Sequence, residues 1–514
     1  MRSVTTDELA KHNSAGDLWL AIDGDVYDVS RFASMHPGGS MILENYCGMD
    51  CTSEFYELHR KSVLPKYQRL KVGKLDSASS IVADASEDEG TVGELPAFRG
   101  QNSTYYNDSH KKFMHAVRDF VTEELEPIAE SSDIGGEMPD EDLRQKLGMA
   151  GILVIRMGPG PWLKAAVQAG VSIPGGVKPQ EFDYFHEMLA HLEVNRLGRP
   201  GFIDSLGTGW LISAPALYNF GTEAMKAQIG PQLLRGDKWS ALAISEPFAG
   251  SDVAALRCTA QLTPDGQFYI VNGVKKWITE GCYADYFVTA VRTGATGAGG
   301  ISMLLIERGE GIETKLIKTT YSTCPGTALV IFSNVKVPVS NLMGKEGQGF
   351  KQVMYNFNHE RWLIACQLLG QARAAVADTF MWARQRKIFG KSLMDQPVIR
   401  NKLANATASL EATFALLETV TYDMCKTKGG AVGQRLAGPI ALLKYQSTRS
   451  CWNIADDLVQ ILGGRGITRT GMGAKVEGFK NYTKYAAVYG GSEEIMAELA
   501  IKQSMKSFPP SARL

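Results

Sequence analysis

The sequence lacks any large excess of charge of one sign. Its 54 Lys and Arg residues stand against 55 Asp and Glu residues, which gives a net charge of -1. This balance excludes an overall field that would attract nucleic acid or an anionic membrane, so any anionic substrate must be bound by a local group of residues. A run of about 18 apolar residues is also missing, as is the apolar segment of a secretory signal. We therefore expect a soluble, intracellular protein with no membrane span and no nucleic-acid partner.

Cysteine is scarce, with 8 residues in 514. The cysteines are scattered, without the density of a disulfide scaffold and without paired C-x-x-C spacing. The sequence therefore predicts reduced thiols and no zinc site.

Composition divides the chain into several parts. The stretch DSASSIVADASEDEGTVGELPAFRG is small, polar and acidic, which is typical of a linker. Segments such as HKKFMHAVRDFVTEELEPIA have helical periodicity, whereas QFYIVNGVKKWITE and TALVIFSNVKVP are typical of strands. We predict a front module (1–76), an acidic linker (77–103), a helical domain (104–238), a β domain (239–345), a helical bundle (346–507) and a tail (508–514).

The front module contains two histidines in separate segments. His36 precedes Pro-Gly-Gly in RFASMHPGGSM, and His59 lies in the helix-like CTSEFYELHRKS. A single histidine is more often a surface or core residue, but two neutral imidazoles could bind a haem iron on both faces. Such an iron has no vacant position and carries electrons instead of binding oxygen.

The sequence around the two histidines resembles the cytochrome b5 family. The similarity extends over nearly all of residues 1 to 75 and rests on HPGGSMILENYCGMDCTSEFYELH and KYQRLKVGKL. It implies haem b with His36 and His59 as axial ligands of the iron. Covalent haem attachment is excluded because no C-x-x-C-H is present.

One long helical segment carries an unusual carboxylate. In GFKQVMYNFNHERWLIACQLLGQA an apolar stripe runs along one helix face and includes Glu360. Three and four residues away there is no Lys or Arg to neutralise this side chain. Burial would raise its pKa toward that of a general base, unless a cation on another helix pairs with it.

Two further segments are candidates for binding phosphate. RQRKIFGK is either a solvated basic face or a phosphate site. ILGGRGITRTG contains glycines that could approach a phosphate or another helix, but it lacks the full G-x-G-x-x-G pattern and follows no strand. A Rossmann domain is therefore excluded there.

Residues 105 to 505 resemble the acyl-CoA dehydrogenase family. The similarity rests on the ordered motifs ISEPFAGSD, KKWITEG, RQRKIFGK, QILGGRGI and VYGGSEEIM. It implies a multidomain fold in which a small α+β cytochrome b5-like domain precedes an α-helical domain, a β-barrel or sandwich domain and an α-helical bundle. It further implies an acyl-CoA substrate, a homodimer or homotetramer, and FAD bound at the domain junction and across a subunit interface.

The same resemblance assigns residues to the cofactor and to the chemistry. Flavin-ring contacts are implied for Ile244, Ser245, Trp277 and Thr279, and a phosphate or ribityl contact for Ser251. Contacts with the FAD of a neighbouring subunit are implied for Arg386 and Phe389, contacts near its adenine end for Gln460 and Gly464, and a further cofactor contact for Ser492.

The family places its catalytic base at one of two positions. The usual position, after Tyr in a Y-E-G motif, is Gly490 here. In the isovaleryl and long-chain subgroups the base is the Glu of an E-R pair, which corresponds to Glu360. The resemblance thus implies that Glu360 removes the α-proton of an acyl-CoA, that the N–H of Gly490 holds the thioester oxygen, and that trans-2-enoyl-CoA is formed.

The C-terminal SARL resembles peroxisomal import signals, in which Ala512, Arg513 and Leu514 would bind an import receptor. A peroxisomal location is expected, with the cytoplasm as the alternative. Because the flavoprotein acceptor of mitochondria would be absent there, we expect the tethered haem to take electrons from the flavin. Two alternatives stay open: a flavin oxidase or monooxygenase of the same fold, and a non-catalytic haem electron carrier on a flavoprotein scaffold.

Overall fold

The computed structural model describes residues 2–76, 92–427, 434–509 and 511. Most of the predicted acidic linker and the predicted import signal at 512–514 lie outside the described residues. All eight cysteines lie inside them, and all eight are free thiols. Within these ranges, no helix is both long enough and apolar enough to span a bilayer.

The front module is a small sheet covered by short helices. Its five strands have the spatial order β1-β5-β4-β3-β2. Leu18, Leu20, Tyr27 and Cys51 are part of its own apolar core. Its elements are β1 (Ser3–Val4), α1 (Thr6–Leu9), β2 (Asn13–Ser14), β3 (Asp17–Ile22), β4 (Asp25–Asp28), α2 (Ser40–Tyr46), α3 (Thr52–Leu58) and β5 (Lys71–Leu75).

A helical domain follows the linker. Polar caps fix the helix starts, as where Asn107 and His110 form a capping box at the first helix. The helices are α4 (Asp108–Phe120), α5 (Glu126–Gly135), α6 (Glu141–Met149), α7 (Pro161–Gln168), α8 (Tyr184–Asn195), α9 (Pro200–Ser205), α10 (Thr208–Phe220) and α11 (Glu223–Leu234). A π-helical turn, Val121–Leu125, joins α4 to α5.

The β domain is one mostly antiparallel sheet with the order β11-β12-β8-β7-β9-β10-β13, and β6 pairs with β9. Phe287 and Phe332 pack at the centre of its own core. Its strands are β6 (Ser240–Ala243), β7 (Thr259–Leu262), β8 (Phe268–Ile278), β9 (Tyr286–Arg292), β10 (Ile301–Glu307), β11 (Ile312–Leu316), β12 (Ala328–Pro338) and β13 (Leu342–Met343).

The C-terminal part is a bundle built around one very long helix. Its helices are α12 (Gly349–Gln385), α13 (Pro397–Lys426), α14 (Ala437–Leu462), α15 (Ala474–Val488) and α16 (Glu493–Ser507). A short hairpin, β14 (Lys387–Ile388) and β15 (Lys391–Ser392), interrupts the helical pattern after α12 and was not predicted. Its turn needs positive φ angles at Phe389 and Gly390, which periodicity does not indicate.

The two helical parts share one continuous apolar core. Trp210 of α10 and Trp362 of α12 are fully buried in it, together with Phe113 of α4. The N-terminal end of α12 packs on the β domain, where Gly349 lies close to Ser302 of β10. The helix therefore runs from the β domain through the bundle, and its residues face different parts of the molecule along its length.

Candidate active site

Glu360 lies on the buried face of α12, as the apolar stripe predicts. Glu360 is 8% exposed and lines a narrow cavity between α10, α12 and the β domain. Asn356, one turn earlier, donates a hydrogen bond of 2.7 Å to Oε1 of Glu360. Among the described residues no cation forms an ion pair with this carboxylate. The alternative, in which a cation on another helix pairs with Glu360, is therefore wrong for the described part of the chain.

Burial raises the pKa of Glu360 to about 7, although the hydrogen bond from Asn356 and the charge of Arg361 act in the opposite direction. Such a group is ionised in about half of the molecules near neutral pH. Because the cavity walls are apolar, with Ile212, Leu242 and Met303 among them, the ionised form has few water molecules to stabilise it. A carboxylate in this setting is suited to remove a proton from carbon.

Gly490 packs directly against the helix that carries Glu360. It has φ 66°, and a Cβ atom at this position would lie 2.4 Å from Cδ1 of Ile364, one turn beyond Glu360. Arg361 donates a hydrogen bond to its carbonyl oxygen at 3.3 Å. A larger residue here would be strained and would clash, so the backbone approaches this face closely.

A buried lysine holds the chain around Gly490. Lys444 of α14 is fully buried and donates hydrogen bonds to the carbonyl oxygens of Tyr489, at 2.7 Å, and of Gly491. Burial and the neighbouring Arg361 lower its pKa to about 7. Sequence reasoning missed this residue, because its partners are backbone atoms about 45 residues away.

A buried ion pair shapes the predicted flavin contacts Ile244 and Ser245. Lys275 of β8 donates to the carbonyl oxygen of Ile244 at 3.0 Å and to Glu246 at 2.8 Å. Glu246 also accepts hydrogen bonds from the backbone N–H groups of Arg257 and Cys258. The turn after β6 is thereby fixed next to the end of β8.

This ion pair was also missed, although a signal was present. Tyr269, Val271 and Lys275 share one face of β8, which is buried. Strand alternation therefore places Lys275 inside, and a buried lysine requires an anionic partner. The ISEP motif supplies it as Glu246.

The remaining predicted contacts of the β domain border an accessible surface. Trp277 has φ 66° and is 54% exposed, although it stands within a strand, and Thr279 follows it half-buried. Ser251 is exposed in the turn after β6. A tryptophan that faces solvent from a strained backbone position is typical of a ligand contact.

Four of the remaining predicted FAD contacts lie at the opposite end of α12 and near the end of α14. Phe389 is 95% exposed at the tip of the hairpin, and Arg386 caps the helix beside it. Gln460 is exposed near the end of α14. Gly464 follows, and a Cβ atom there would have no heavy atom within 4 Å. A half-buried guanidinium, an exposed aromatic ring and open space beside glycine fit the phosphates and adenine of a dinucleotide.

The structure does not bring these two groups together within one chain. Arg386 is the C-cap residue of α12 and follows Glu360 by 26 residues. At the rise of an α-helix this separation corresponds to about 39 Å along the helix axis. Ser492, the last predicted contact, begins α16 and lies next to the turn that contains Gly490. The predicted cofactor contacts therefore form two half-sites.

The two histidines of the front module face each other. Their ring centroids are 5.9 Å apart, a spacing that admits one metal ion bound by both rings at about 2 Å. Nδ1 of His36 is 3.2 Å from the carbonyl oxygen of Gly39, and Nδ1 of His59 is 3.2 Å from that of Phe55, which leaves both Nε2 atoms free for a metal.

The surroundings of the two rings fit haem. A Cβ atom at Gly38 would lie 2.9 Å from Cε1 of His36, so a larger residue there would crowd the ring of His36. Met35 and Met41, in segments flanking His36, are exposed by 63% and 73%. Exposed apolar side chains close in sequence to an imidazole of this pair suit the apolar edge of a porphyrin.

A second group of histidines has a structural explanation. His110, Asp183 and His186 bring their side-chain ligand atoms within 4.8 Å of one another. Oδ1 of Asp183 accepts the backbone N–H of His186 at 3.1 Å and lies 3.0 Å from Nε2 of His110. Both histidines are third residues of capping boxes, so their nitrogens are occupied by helix starts.

Three family models of known proteins match parts of the chain. Residues 347–505 match the family model of the acyl-CoA dehydrogenase C-terminal domain, 241–335 that of the acyl-CoA dehydrogenase middle domain, and 5–76 that of the cytochrome b5-like haem/steroid binding domain.

Individual relatives match most of their own length. The chain is 38% identical over 421 residues to the acyl-CoA dehydrogenase apdG of Emericella nidulans, covering 81% of this chain and 95% of the relative. It is 36% identical to the acyl-CoA dehydrogenase AFT10-1 of Alternaria alternata, covering 78% and 92%. A solved structure of a probable acyl-CoA dehydrogenase from Mycobacterium abscessus superposes with a TM-score of 0.69 at 28% identity, covering 78% of this chain and all of that one.

These matches confirm the fold that the motifs predict. They also confirm the class of enzyme, an oxidoreductase that acts on acyl-CoA and uses FAD, as the family implies. The chain belongs to the acyl-CoA dehydrogenase family and carries a cytochrome b5-like domain in front of it.

Proposed function

We propose that this chain removes two hydrogens from the α and β carbons of an acyl-CoA thioester to give trans-2-enoyl-CoA, with Glu360 as the base. The observation that carries the proposal is the buried carboxylate itself. Glu360 lies in an apolar cavity beside the turn after β6, and its pKa is raised to about 7 by burial. A surface carboxylate would be too weak a base to take a proton from carbon at neutral pH.

Each residue around the cavity has its own role in the proposed reaction. Glu360 takes the α-proton on its carboxylate, and Asn356 holds Oε1 in place by its hydrogen bond of 2.7 Å. The N–H of Gly490 stabilises the negative charge that develops on the thioester oxygen, a contribution of about 3 kcal/mol per donor in comparable sites. Lys444 and Arg361 keep that turn in position by binding its carbonyl oxygens. FAD, when bound, accepts the β-hydride.

The two half-sites support a homodimer or homotetramer. The first comprises Ile244, Ser245, Ser251, Trp277 and Thr279, and the second Arg386, Phe389, Gln460 and Gly464. Because about 39 Å of α12 separates Glu360 from Arg386, the second half-site of one copy would complete the first half-site of another. We propose that FAD is bound across this interface, with Ser492 contributing next to Gly490.

The front module would supply the electron acceptor. His36 and His59 would hold haem b between their Nε2 atoms. The carbonyl oxygens of Gly39 and Phe55 contact the Nδ1 atoms and fix both rings in the orientation that haem binding requires. An iron with both axial positions filled exchanges single electrons. We propose that haem takes electrons from the reduced flavin.

The test is anaerobic spectroscopy of the purified protein. We expect that butyryl-, octanoyl- or palmitoyl-CoA bleaches the flavin absorbance and that haem reduction follows. Glu360→Gln should abolish bleaching, whereas Glu418→Gln, a half-buried carboxylate that accepts from Tyr106, should leave it intact. Bleaching at the wild-type rate in Glu360→Gln would refute the assignment of the base.

The same preparation separates the alternatives. Hydrogen peroxide release in air together with indifference to acyl-CoA would favour the oxidase or monooxygenase, and protein that purifies with haem but without flavin would favour the electron carrier. His36→Ala should remove the haem absorbance and leave the flavin spectrum unchanged.

We also propose import into peroxisomes through Ala512, Arg513 and Leu514. The support is the sequence of the tail alone, which lies outside the described residues. A fluorescent protein fused in front of the chain should colocalise with a peroxisomal marker and become cytoplasmic when Leu514 is deleted. Unchanged localisation after the deletion would contradict the proposal.

A further inference from the structure

The front module is not free in the structure but docks on the C-terminal half of α12. Arg60, the residue after His59, forms an ion pair of 2.5 Å with Asp378 and donates a hydrogen bond to the carbonyl oxygen of Met472. The Arg60 side chain is 25% exposed and that of Asp378 is 8% exposed, so the pair is largely removed from solvent. Ion pairs of this kind are stronger and less sensitive to salt than surface pairs.

A second set of contacts extends the interface toward the hairpin. Glu57 of α3 lies 3.9 Å from Arg386 and from Lys387, and Lys387 lies 3.4 Å from Oγ of Ser53. Acidic and polar groups of the module thus face cations of the bundle. This complementarity defines one orientation of the module, in which the segment that holds His59 faces α12.

The docked position is far from the active site of the same chain. Asp378 lies 18 residues beyond Glu360 on the same helix, or about 27 Å along its axis, and Arg386 lies about 39 Å beyond it. The module therefore sits at the second half-site of its own chain. That half-site is the one expected to close over the FAD of another copy.

We propose that the haem of one chain, docked through Arg60, accepts electrons from the flavin bound by a second copy of the chain. The inference rests on the proposed dehydrogenation and on the two half-sites. Arg60 is a positioning residue, since it fixes the module and touches neither cofactor nor substrate.

Oxidation of one acyl-CoA to enoyl-CoA releases two electrons and two protons. The haem that His36 and His59 would hold would take the two electrons one at a time, and the protons would pass to water. The haem would pass each electron on to an external one-electron acceptor of the ferric haem-protein class.

Oligomers assembled from two differently tagged chains test the route. In the first combination, a Glu360→Gln chain with intact haem pairs with a chain that lacks haem through His36→Ala and His59→Ala. In the second, a wild-type chain pairs with a chain that carries all three substitutions. Both hold one active base and one haem per pair, but only the first requires transfer between copies.

We expect haem reduction in the first combination to be at least about tenfold faster than in the second, because docking holds that haem near the other copy's flavin. The panel member that bleaches wild-type flavin fastest serves as substrate. Equal rates, or faster reduction in the second combination, would overturn the inference. Wild-type protein whose flavin bleaches while its haem stays ferric would instead contradict the proposed relay.

Two measurements keep the test independent of whether the haem-free module folds. Arg60→Glu should slow haem reduction at least about tenfold while flavin bleaching is unchanged, and Arg31→Glu, on an exposed part of the module, should change neither. A carbodiimide should join Glu57 to Lys387 in the wild-type protein, and Arg60→Glu should lose this crosslink. Its absence from the wild-type protein would refute the docked arrangement.

Discussion

Replacing Asn356 by leucine should move the pH profile of flavin bleaching. Asn356 donates 2.7 Å to Oε1 of Glu360, and a hydrogen bond to the ionised form of an acid lowers the pKa of that acid. Leucine keeps the number and branching of the side-chain heavy atoms and removes the donor. The pKa of Glu360, now raised by burial to about 7, should therefore rise further.

The size of the change follows from the contact. A hydrogen bond to a charged group is worth about 1.5–3 kcal/mol, and one pKa unit corresponds to about 1.4 kcal/mol, so the midpoint should rise by about one to two units. At pH 7 the ionised fraction would fall from about a half to between about a tenth and a hundredth. Bleaching at that pH should slow by about 5- to 50-fold and recover in alkaline buffer.

Stopped-flow bleaching by a saturating acyl-CoA, measured across a pH range that brackets both midpoints, is the assay. Gln371→Leu is the matched control, because Gln371 is another buried amide of α12 and bonds to Asn195, not to Glu360. Its profile should keep the wild-type midpoint. A wild-type midpoint in Asn356→Leu would show that burial and this hydrogen bond do not govern the base.

Three further predictions concern stability and the turn beside the base. Burial raises the pKa of Glu360 from 4.5 to about 7, so the folded state loses stability as the pH rises through this interval. Glu360→Gln should therefore stabilise the protein by about 3 kcal/mol at pH 8 and hardly at pH 5. Denaturant unfolding at the two pH values measures this difference. Lys275→Met should destabilise it by about 3–5 kcal/mol, since Glu246 would stay buried without its cation, and a loss below 1 kcal/mol would contradict the role of this pair. Gly490→Ala should lower the bleaching rate at least about tenfold, and Ile364→Ala should restore part of it by removing the clash; a wild-type rate in Gly490→Ala would exclude close approach of this backbone to the thioester.

Local periodicity was sufficient for most of the fold. The apolar stripe on α12 puts Glu360 on a buried face, and the structure has it there because helical spacing alone decides which residues face the core. The β domain was also recognisable, since strand composition is a short-range feature, whereas the front module was recognised by its resemblance to the cytochrome b5 family. The catalytic role of Glu360 and the haem-ligand roles of the two histidines stay predictions.

Contacts between distant segments could not be read in the same way. Lys444 binds the carbonyl oxygens around Gly490, and Arg60 pairs with Asp378 more than 300 residues away. Neither partner's sequence environment differs from that of an ordinary surface cation. The hairpin at Phe389 was missed because two residues with positive φ leave almost no mark on hydropathy.

The length of α12 has a consequence for redesign. The base Glu360 and the docking residue Asp378 lie on the same helix, so the angle between their side chains around the helix axis depends on the number of residues between them. One inserted residue would turn everything beyond it by about 100° and shift it by 1.5 Å, whereas seven would return the phase to within about 20°. Natural or engineered insertions and deletions between Glu360 and Asp378 should therefore be tolerated only when they add or remove nearly whole helical turns. In a chain with any other change of length, acyl-CoA would still bleach the flavin, but the haem would face away from any electron donor.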